Sequence, residues 1–413
     1  MPFTALHRLL GKNAGPVTEA LLDEAVAAQL AETDDLDWKA ELPPTRGLAE
    51  ADFPKDVAAM ANSGGGTIVY GVTEDEKQAT GRADVGDLTE NHERALRAAA
   101  FNVVVPPVFG LEIVRVGGPG HRAVVVVISP SSDAPHLIYR NQLFGAPVRN
   151  NADTEWMKER QVEAAYRARL DGQRRAVLDL NDLWEEVRAG LPDQPRAQLV
   201  GVARPRTPLA SGLRPSREEA SEWLQAAYNR GHGYTNNQRI SATHPLGEVA
   251  TYGPRPGLRR WVAQSTTEGD AYRYSTAEVH HDGVVALSSV VGGQRAQEGF
   301  NEDAVVEARA AEATVADFMA VLRVVGEARG IAEYDVQLGF IAREPIKFLT
   351  FDQHFFPYDP GAPVQRFVPV RRTVRANSST VDFHWEVHDV AEDVVNQGGV
   401  FRVHTIIPPA RDE

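Results

Sequence analysis

The stretch Asp56-Val-Ala-Ala-Met-Ala-Asn62-Ser-Gly-Gly-Gly66-Thr-Ile-Val-Tyr70-Gly71-Val-Thr-Glu74 decides how the first part of the chain folds. Phe53, Val57, Met60 and Ala61 recur at helical spacing, with Asp52 placed to cap and Pro54 in the first turn. Gly64-Gly65-Gly66 stops that helix and permits positive φ. Thr67 to Val72 is too apolar for a strand with one wet face, so it is expected in the middle of a sheet. It delivers Glu74, Asp75 and Glu76 at its exit.

Upstream, Glu32-Thr-Asp-Asp-Leu-Asp37-Trp-Lys39 reads as a short alternating strand. Leu36 and Trp38 face a core, and Asp35, Asp37 and Lys39 take the opposite face by the two-residue period. Glu32, Asp37 and Glu74 are thereby candidates for a common site, with Asp34, Asp35, Asp75 and Glu76 crowding the same strand ends. Hard divalent cations such as Mg2+ or Mn2+ take oxygen ligands, and a metal so held activates water beside a phosphodiester. The competing reading is a solvated acidic loop. Gly64 to Gly66 are not a phosphate-binding P-loop, because no Lys-Ser/Thr comes after them and the next element is a strand.

The rest of the first half gives a helix over 17–31 with Thr18 as its cap, a helix over 88–100, and strands near 108–116 and 122–129. A short helix is expected at 154–165 and a connecting helix at 173–190. Prolines 192, 195, 205, 208 and 215 punctuate the next segment as linker or irregular edge. Beyond them the pattern predicts helices at 216–229 and 303–328. Strands are expected at 198–204, 258–264, 272–280, 283–290, 334–342, 366–371, 379–388 and 400–407. On a strand, Asp382, His384, Glu386 and His388 would share one face, either a wet surface or a zinc site. Phe348, Phe351, Phe355, Phe356, Tyr358 and Phe367 form a satellite core or a recognition pocket.

Composition narrows the classes. The chain has 413 residues, 43% hydrophobic and 24% charged, enough for two or three domains. It has no cysteine, which excludes disulfides, thiolate metal sites and cysteine nucleophiles. The longest apolar run, Ala123 to Ile128, has strand length, and the opening residues lack a signal-peptide pattern; a cytoplasmic protein is expected. Net charge is −14, so nucleic acid would have to meet a local basic strip or a bound metal.

The string Glu32-(four residues)-Asp37-Trp38-Lys39, then Ala61-Asn62-Ser-Gly-Gly, then Tyr70-Gly71-Val-Thr-Glu74 resembles the Schlafen core (Alba-like, divergent ATPase-like) domain of prokaryotic proteins. Pro130-Ser-(three residues)-Pro135 and Val148-Arg149-(four residues)-Thr154 match later landmarks, so the resemblance covers roughly residues 30–165. Trp38 stands where the family has Phe, and asparagine comes after Arg149 where glycine is usual.

The resemblance implies an α/β N-terminal Schlafen-like domain (1–168), and the pattern beyond it predicts a helical connector (169–195) and a C-terminal α+β domain (196–413), expected to be a sensor or regulatory domain. It implies a metal-dependent endoribonuclease acting on tRNA or similar structured RNA. Glu32, Asp37 and Glu74 would hold Mg2+ or Mn2+, and Lys39 and Arg149 would steer phosphate. Lys39 has the alternative of a salt bridge to Asp37, and Arg149 that of a loop ion pair. Pairing of two chains is implied by the resemblance; the two-domain architecture, in which a nuclease on host RNA has to be restrained until needed, leads to the expectation of an antiviral or stress effector triggered at the C-terminal domain. The competing class is a non-catalytic nucleic-acid-binding or regulatory module.

Overall fold

The computed structural model describes residues 3–410 except 14, 141–142, 208, 210–213, 236–242, 250, 266–273, 294–301, 352–356 and 359–360. The chain is of mixed α/β content and divides into two compact units, Met1–Arg175 and Ala176–Glu413.

The first unit is built on a four-stranded sheet ordered Leu36–Lys39, Gly66–Tyr70, Ala123–Ile128, Glu112–Val116. The first pair is parallel, Asp37 beside Ile68 and Lys39 beside Tyr70; the other two pairs are antiparallel. Gly66–Tyr70 is central, as its uninterrupted apolar run predicts. One face packs Leu36, Trp38, Val69 and Val125 against the helices Ala5–Leu9 and Glu19–Ala27. Thr18 caps the second of these, its hydroxyl accepting from Leu21 N–H at 3.3 Å. The other face packs Ile68, Tyr70, Val124 and Val126 against the helices Asp52–Asn62 and Glu90–Asn102. Asp52 is the first residue of its helix and not the cap; Ala51 holds that position without a side-chain bond. The Asp52 carboxylate pairs with Lys55 at 3.0 Å and lies in the first turn, where the helix dipole favours negative charge.

Chain geometry around the glycines is specific. Gly64 and Gly65 have φ of +94° and +91°. A Cβ on Gly65 would stand 2.7 Å from Ile128 O, so helix and sheet meet there backbone to backbone. Gly71, at φ +102°, ends the central strand. The chain then leaves the four-stranded sheet, and Val72–Asp75 pairs with Gln78–Arg82 in a separate two-stranded ribbon. The expected strand through Val72 is therefore two strands in two sheets.

The short helix expected at 154–165 does not form as such. Asp153–Trp156 is a strand, paired antiparallel with Pro147–Asn150, and a single helix then runs Glu159–Ala189. Nothing in the Ala-, Arg- and Glu-rich stretch after Trp156 breaks a helix except one glycine, Gly172, so the two expected helices are one. The boundary between the units falls inside it.

The second unit has a seven-stranded antiparallel sheet. Its order is Arg255–Gly257, Arg260–Gln264, Ser275–His280, Val285–Val290, Gln198–Pro205, Glu333–Ile341, Val370–Arg375. Helices Arg217–Tyr234, Ala308–Arg329 and Thr380–Asn396 share one core with Leu199, Val285, Leu287, Val336 and Leu338. Val200, Val202 and Ala286, on the other face, pack against Leu180 and Val187. Gly339 lies under the Trp184 indole, where a Cβ would be 3.4 Å from the ring.

Two expected strands are overturned here. Residues 379–388 begin a helix, because Ser379 caps it, accepting from Asp382 N–H at 3.1 Å. Phe383, Val387, Val390, Ala391, Val394 and Val395 then fall at helical spacing and are buried. The alternation over 382–388 is shorter than that longer period. No strand forms over 400–407; the buried carboxylate of Glu312 accepts from His404 N–H at 3.0 Å, from Thr405 N–H at 2.7 Å and from the Thr405 hydroxyl. The expected strand at 366–371 lies instead at Val370–Arg375. Phe348 is buried, and Phe340 stands against Phe348 and Phe367 with ring centroids 5.9 and 4.8 Å away, so these aromatics are core. Phe355, Phe356 and the side chains of Phe351 and Tyr358 lie outside the described residues.

Candidate functional site

The strand Leu36–Lys39 sorts its side chains by parity. Leu36 and Trp38 enter one core, which leaves Asp37 and Lys39 on the layer of Ile68 and Tyr70, the layer of helix Asp52–Asn62. A charged pair is thereby set beneath a packed helix. Asp37 is 2% exposed, and its Oδ2 lies 2.6 Å from Lys39 Nζ. Arg149 Nη1 donates to Asp37 Oδ1 at 3.2 Å. The guanidinium also donates to Thr154 Oγ1 at 3.4 Å and to Thr33 O at 3.2 Å. Its side chain is 3% exposed, so Arg149 is a buried brace and does not present a face to a phosphate from solvent.

Sequence reasoning missed Asp56. It lies one turn from both Phe53 and Met60, on the apolar stripe of helix Asp52–Asn62, with a side chain 8% exposed. A lone carboxylate on an otherwise apolar face was the signal available. Burial, reinforced by the Asp37 charge, pushes its carboxyl up to about 6. Burial by itself would lower the Lys39 ammonium, but Asp37, with Asp56 and Glu32 behind it, holds it above its ordinary value. Burial also raises Glu32, against the Trp38 N–H that its Oε1 accepts at 2.9 Å; the Asp37 charge raises it further. Glu32, Asp37 and Asp56 thus act on one lysine.

Glu74 does not join them. Past Gly71 the ribbon turns on Glu76 and Lys77, both at positive φ, and Glu74 Oε2 accepts from Lys77 N–H at 2.7 Å. Its side chain is exposed. Glu32, Asp37 and Glu74 do not bring ligand oxygens within 4.8 Å of one another. Mg2+ and Mn2+ want several oxygens turned to one point. With Asp37 facing two side-chain cations and Glu74 on its own turn, the three expected ligands do not fit either ion as arranged.

The remaining motif residues hold this layer together. Asn62, at the end of the helix, donates to His136 O at 2.9 Å and Pro147 O at 2.8 Å. Its Oδ1 accepts from His136 N–H at 2.7 Å. The Ser63 hydroxyl accepts from Arg149 N–H at 2.8 Å. His136, fully buried, lies 2.7 Å from both Pro106 O and Ser131 Oγ. A carbonyl only accepts, so Nδ1 carries the proton and Nε2 of the neutral ring accepts from Ser131.

Outside the acidic site, three aromatics are exposed on neighbouring hairpins of the same unit. Tyr139 and Phe144 are cross-strand partners at 64% and 66% exposure. Trp156, at 48%, packs its ring over Gly145, where a Cβ would come within 2.7 Å.

In the second unit the helical form of 380–396 separates the expected zinc face. His384 Nε2 is 3.1 Å from Tyr234 O, and Glu386 accepts from Arg375 N–H at 3.2 Å. His388 instead groups with Asp389 and Glu392, the one such trio among the described residues. Arg372 stands 3.7 Å from Asp389 and competes for it.

Residues 32–158 match the family model described as Schlafen, AlbA_2, and the first unit therefore carries a Schlafen-core-like domain. The chain is also similar to the N-terminal domain of a RecG-related protein from Nitrosomonas europaea. The two are 18% identical over 33% of this chain and 89% of that one, with a TM-score of 0.25. The DIP2311 protein from Corynebacterium diphtheriae is 15% identical over 53% of this chain and 40% of its own, with a TM-score of 0.24. No curated protein matches it. Among the described residues no helix is long and apolar enough to cross a membrane.

Proposed function

We propose that the N-terminal unit binds nucleic acid, with structured RNA such as tRNA as its ligand. The observation that carries this reading is the exposed cross-strand pair of Tyr139 and Phe144, with Trp156 exposed on the neighbouring hairpin, on a Schlafen-core-like domain. Aromatic faces stack on unpaired bases whatever their sequence. Lys158 and Arg160, exposed just after Trp156, supply local positive charge in an acidic chain. Fluorescence anisotropy with labelled tRNA tests it: the Tyr139→Ala/Phe144→Ala/Trp156→Ala variant, folded by circular dichroism, should lose most of the binding. Equal binding by that variant would sink the reading.

Metal-dependent endoribonuclease activity is the second reading. Its support is the buried pair Asp37 and Asp56 with the half-buried Glu32 beside them, and the raised Glu32 and Asp56 carboxyls, the kind of perturbation active sites use. Against it stand the two cations on Asp37 and the exposure of Glu74. Incubating tRNA with the protein, with and without Mn2+ and EDTA, separates the readings. Discrete fragments that need metal and vanish in Glu32→Ala/Asp37→Ala would favour cleavage, and binding that survives EDTA favours the first.

In either case the second unit is the natural place for a regulatory or sensing role. Cytoplasmic homodimers restrained by a trigger, as an antiviral or stress effector would need, are part of the same proposal. Light scattering on the purified chain tests the pairing.

A further inference from the structure

The second unit holds a cleft of about 190 Å³ between the last turns of helix Glu159–Ala189 and strand Glu333–Ile341. Trp184, Phe340, Phe367, the amides of Asn181 and Gln337, and Gly339 line it. Gly339 has no side chain to fill the space. The ladder to strand Val370–Arg375 stops at the pair Leu338 and Val370, beside Pro369, which has no N–H to continue it. The walls are held from outside. Trp184 Nε1 donates to Val200 O at 3.4 Å, and the Gln397 side chain bonds both the N–H and the carbonyl of Val368, next to Phe367, at 2.9 Å each.

Arg371 orients the two amides. Its Nε donates to Gln337 Oε1 at 2.7 Å, and its Nη2 donates to Asn181 Oδ1 at 2.8 Å. A guanidinium only donates, so both amides turn their oxygens to Arg371 and keep their NH2 groups for another partner. Neither NH2 has an acceptor among the described residues. Gln337 is 2% exposed, so its NH2 meets a partner through the cleft that it lines. A buried donor left without an acceptor is costly, and a ligand oxygen removes that cost.

We propose that this cleft binds the uracil ring of an uncharged nucleoside. Drug-sized ligands take at least about 300 Å³, so the smaller volume suits one ring. Aromatic walls favour a flat ring. Two NH2 donors select a ring edge that carries carbonyl oxygens, which uracil has and adenine lacks. Glu185, the charged residue of the lining, opposes a phosphate. Walls already fixed by Gln397, Arg371 and Val200 leave little to order on binding. The inference gives a ligand class to the sensing role proposed for the second unit, on which its purpose rests, and it is independent of RNA binding by the first unit.

The test is ligand-observed NMR of uridine with the full chain, by saturation transfer to the uracil protons. Wild-type protein should bind uridine saturably, with a Kd of about 1 mM or tighter, and adenosine and UMP at least about fivefold more weakly. Gly339→Val, which fills the cleft, should abolish binding. Asn181→Leu, on the half-buried side of the helix, should weaken it at least about tenfold and still bind tRNA as wild type does. The Tyr139→Ala/Phe144→Ala/Trp156→Ala variant should bind uridine as wild type does, which separates this site from the first unit. No saturable binding at about 10 mM uridine would overturn the proposal. So would adenosine or UMP binding as tightly as uridine, uridine binding unchanged in Asn181→Leu, or its loss in the first-unit variant. Circular dichroism accompanies each protein; should Gly339→Val not fold, Asn181→Leu decides the matter.

Discussion

Asn62 and His136 are joined by two hydrogen bonds: Asn62 Nδ2 donates to His136 O at 2.9 Å, and His136 N–H donates to Asn62 Oδ1 at 2.7 Å. The pair ties the end of helix Asp52–Asn62 to the loop after strand Ala123–Ile128, and a further bond to Pro147 O at 2.8 Å adds the next hairpin. Asn62→Ala leaves an N–H and two carbonyls without these partners, at a cost of about 2–4 kcal/mol. Chemical denaturation should show a lower midpoint with an unchanged slope. A midpoint equal to wild type would mean that the loops are held by other contacts.

His136 makes the first unit sensitive to acid. Burial holds the folded ring below its ordinary value of 6.5. The unfolded chain therefore takes up a proton first as pH falls, so the His136 contribution is complete above 6.5 and is lost below it. Melting temperature between pH 7.5 and 5 should fall less steeply in His136→Gln than in wild type. Parallel slopes would exclude this ring as the titrating group.

Trp156 occupies the space above Gly145 that a Cβ would need. Gly145→Ala should displace the indole and change its fluorescence while the melting temperature shifts little. If the surface stacks on bases, Gly145→Ala should weaken tRNA binding, and Trp156→Ala should weaken it by about fivefold or more. Unchanged affinity in both would remove Trp156 from the interface.

Glu312 is fully buried and accepts from two backbone N–H groups and one hydroxyl of His404 and Thr405. Bonds to a charged acceptor are the strong kind. Glu312→Ala should destabilise the second unit by about 3 kcal/mol. Hydrogen exchange at the His404 and Thr405 amides should accelerate, with a smaller effect in Glu312→Gln. Amides as protected as in wild type would show that the segment is anchored elsewhere.

The Leu36–Lys39 strand and the Asp52–Asn62 helix could be read because each carries its own period, two residues in one and 3.6 in the other. Parity alone set Asp37 and Lys39 opposite Trp38. Asp56 went unread because a charge inside an apolar stripe breaks the pattern without saying which side chain it meets. In the second unit the alternating Asp382, His384, Glu386 and His388 imitated a strand over seven residues, and only packing against the sheet revealed the longer helical period through Val395.

By itself the sequence determined the central strand, the helix before it and the glycine turn between them, because local period and backbone permission need no partner. Tertiary structure decided the site. Gly71, at positive φ, sends Glu74 onto a separate ribbon, and a change of sheet of that kind cannot be seen in residue spacing. Arg149 reaches Asp37 across 112 positions of sequence, and Asp56 meets the same layer only because its helix packs on that face. Electrostatic neighbours are set by where elements pack, and packing depends on long-range contacts that no local pattern encodes.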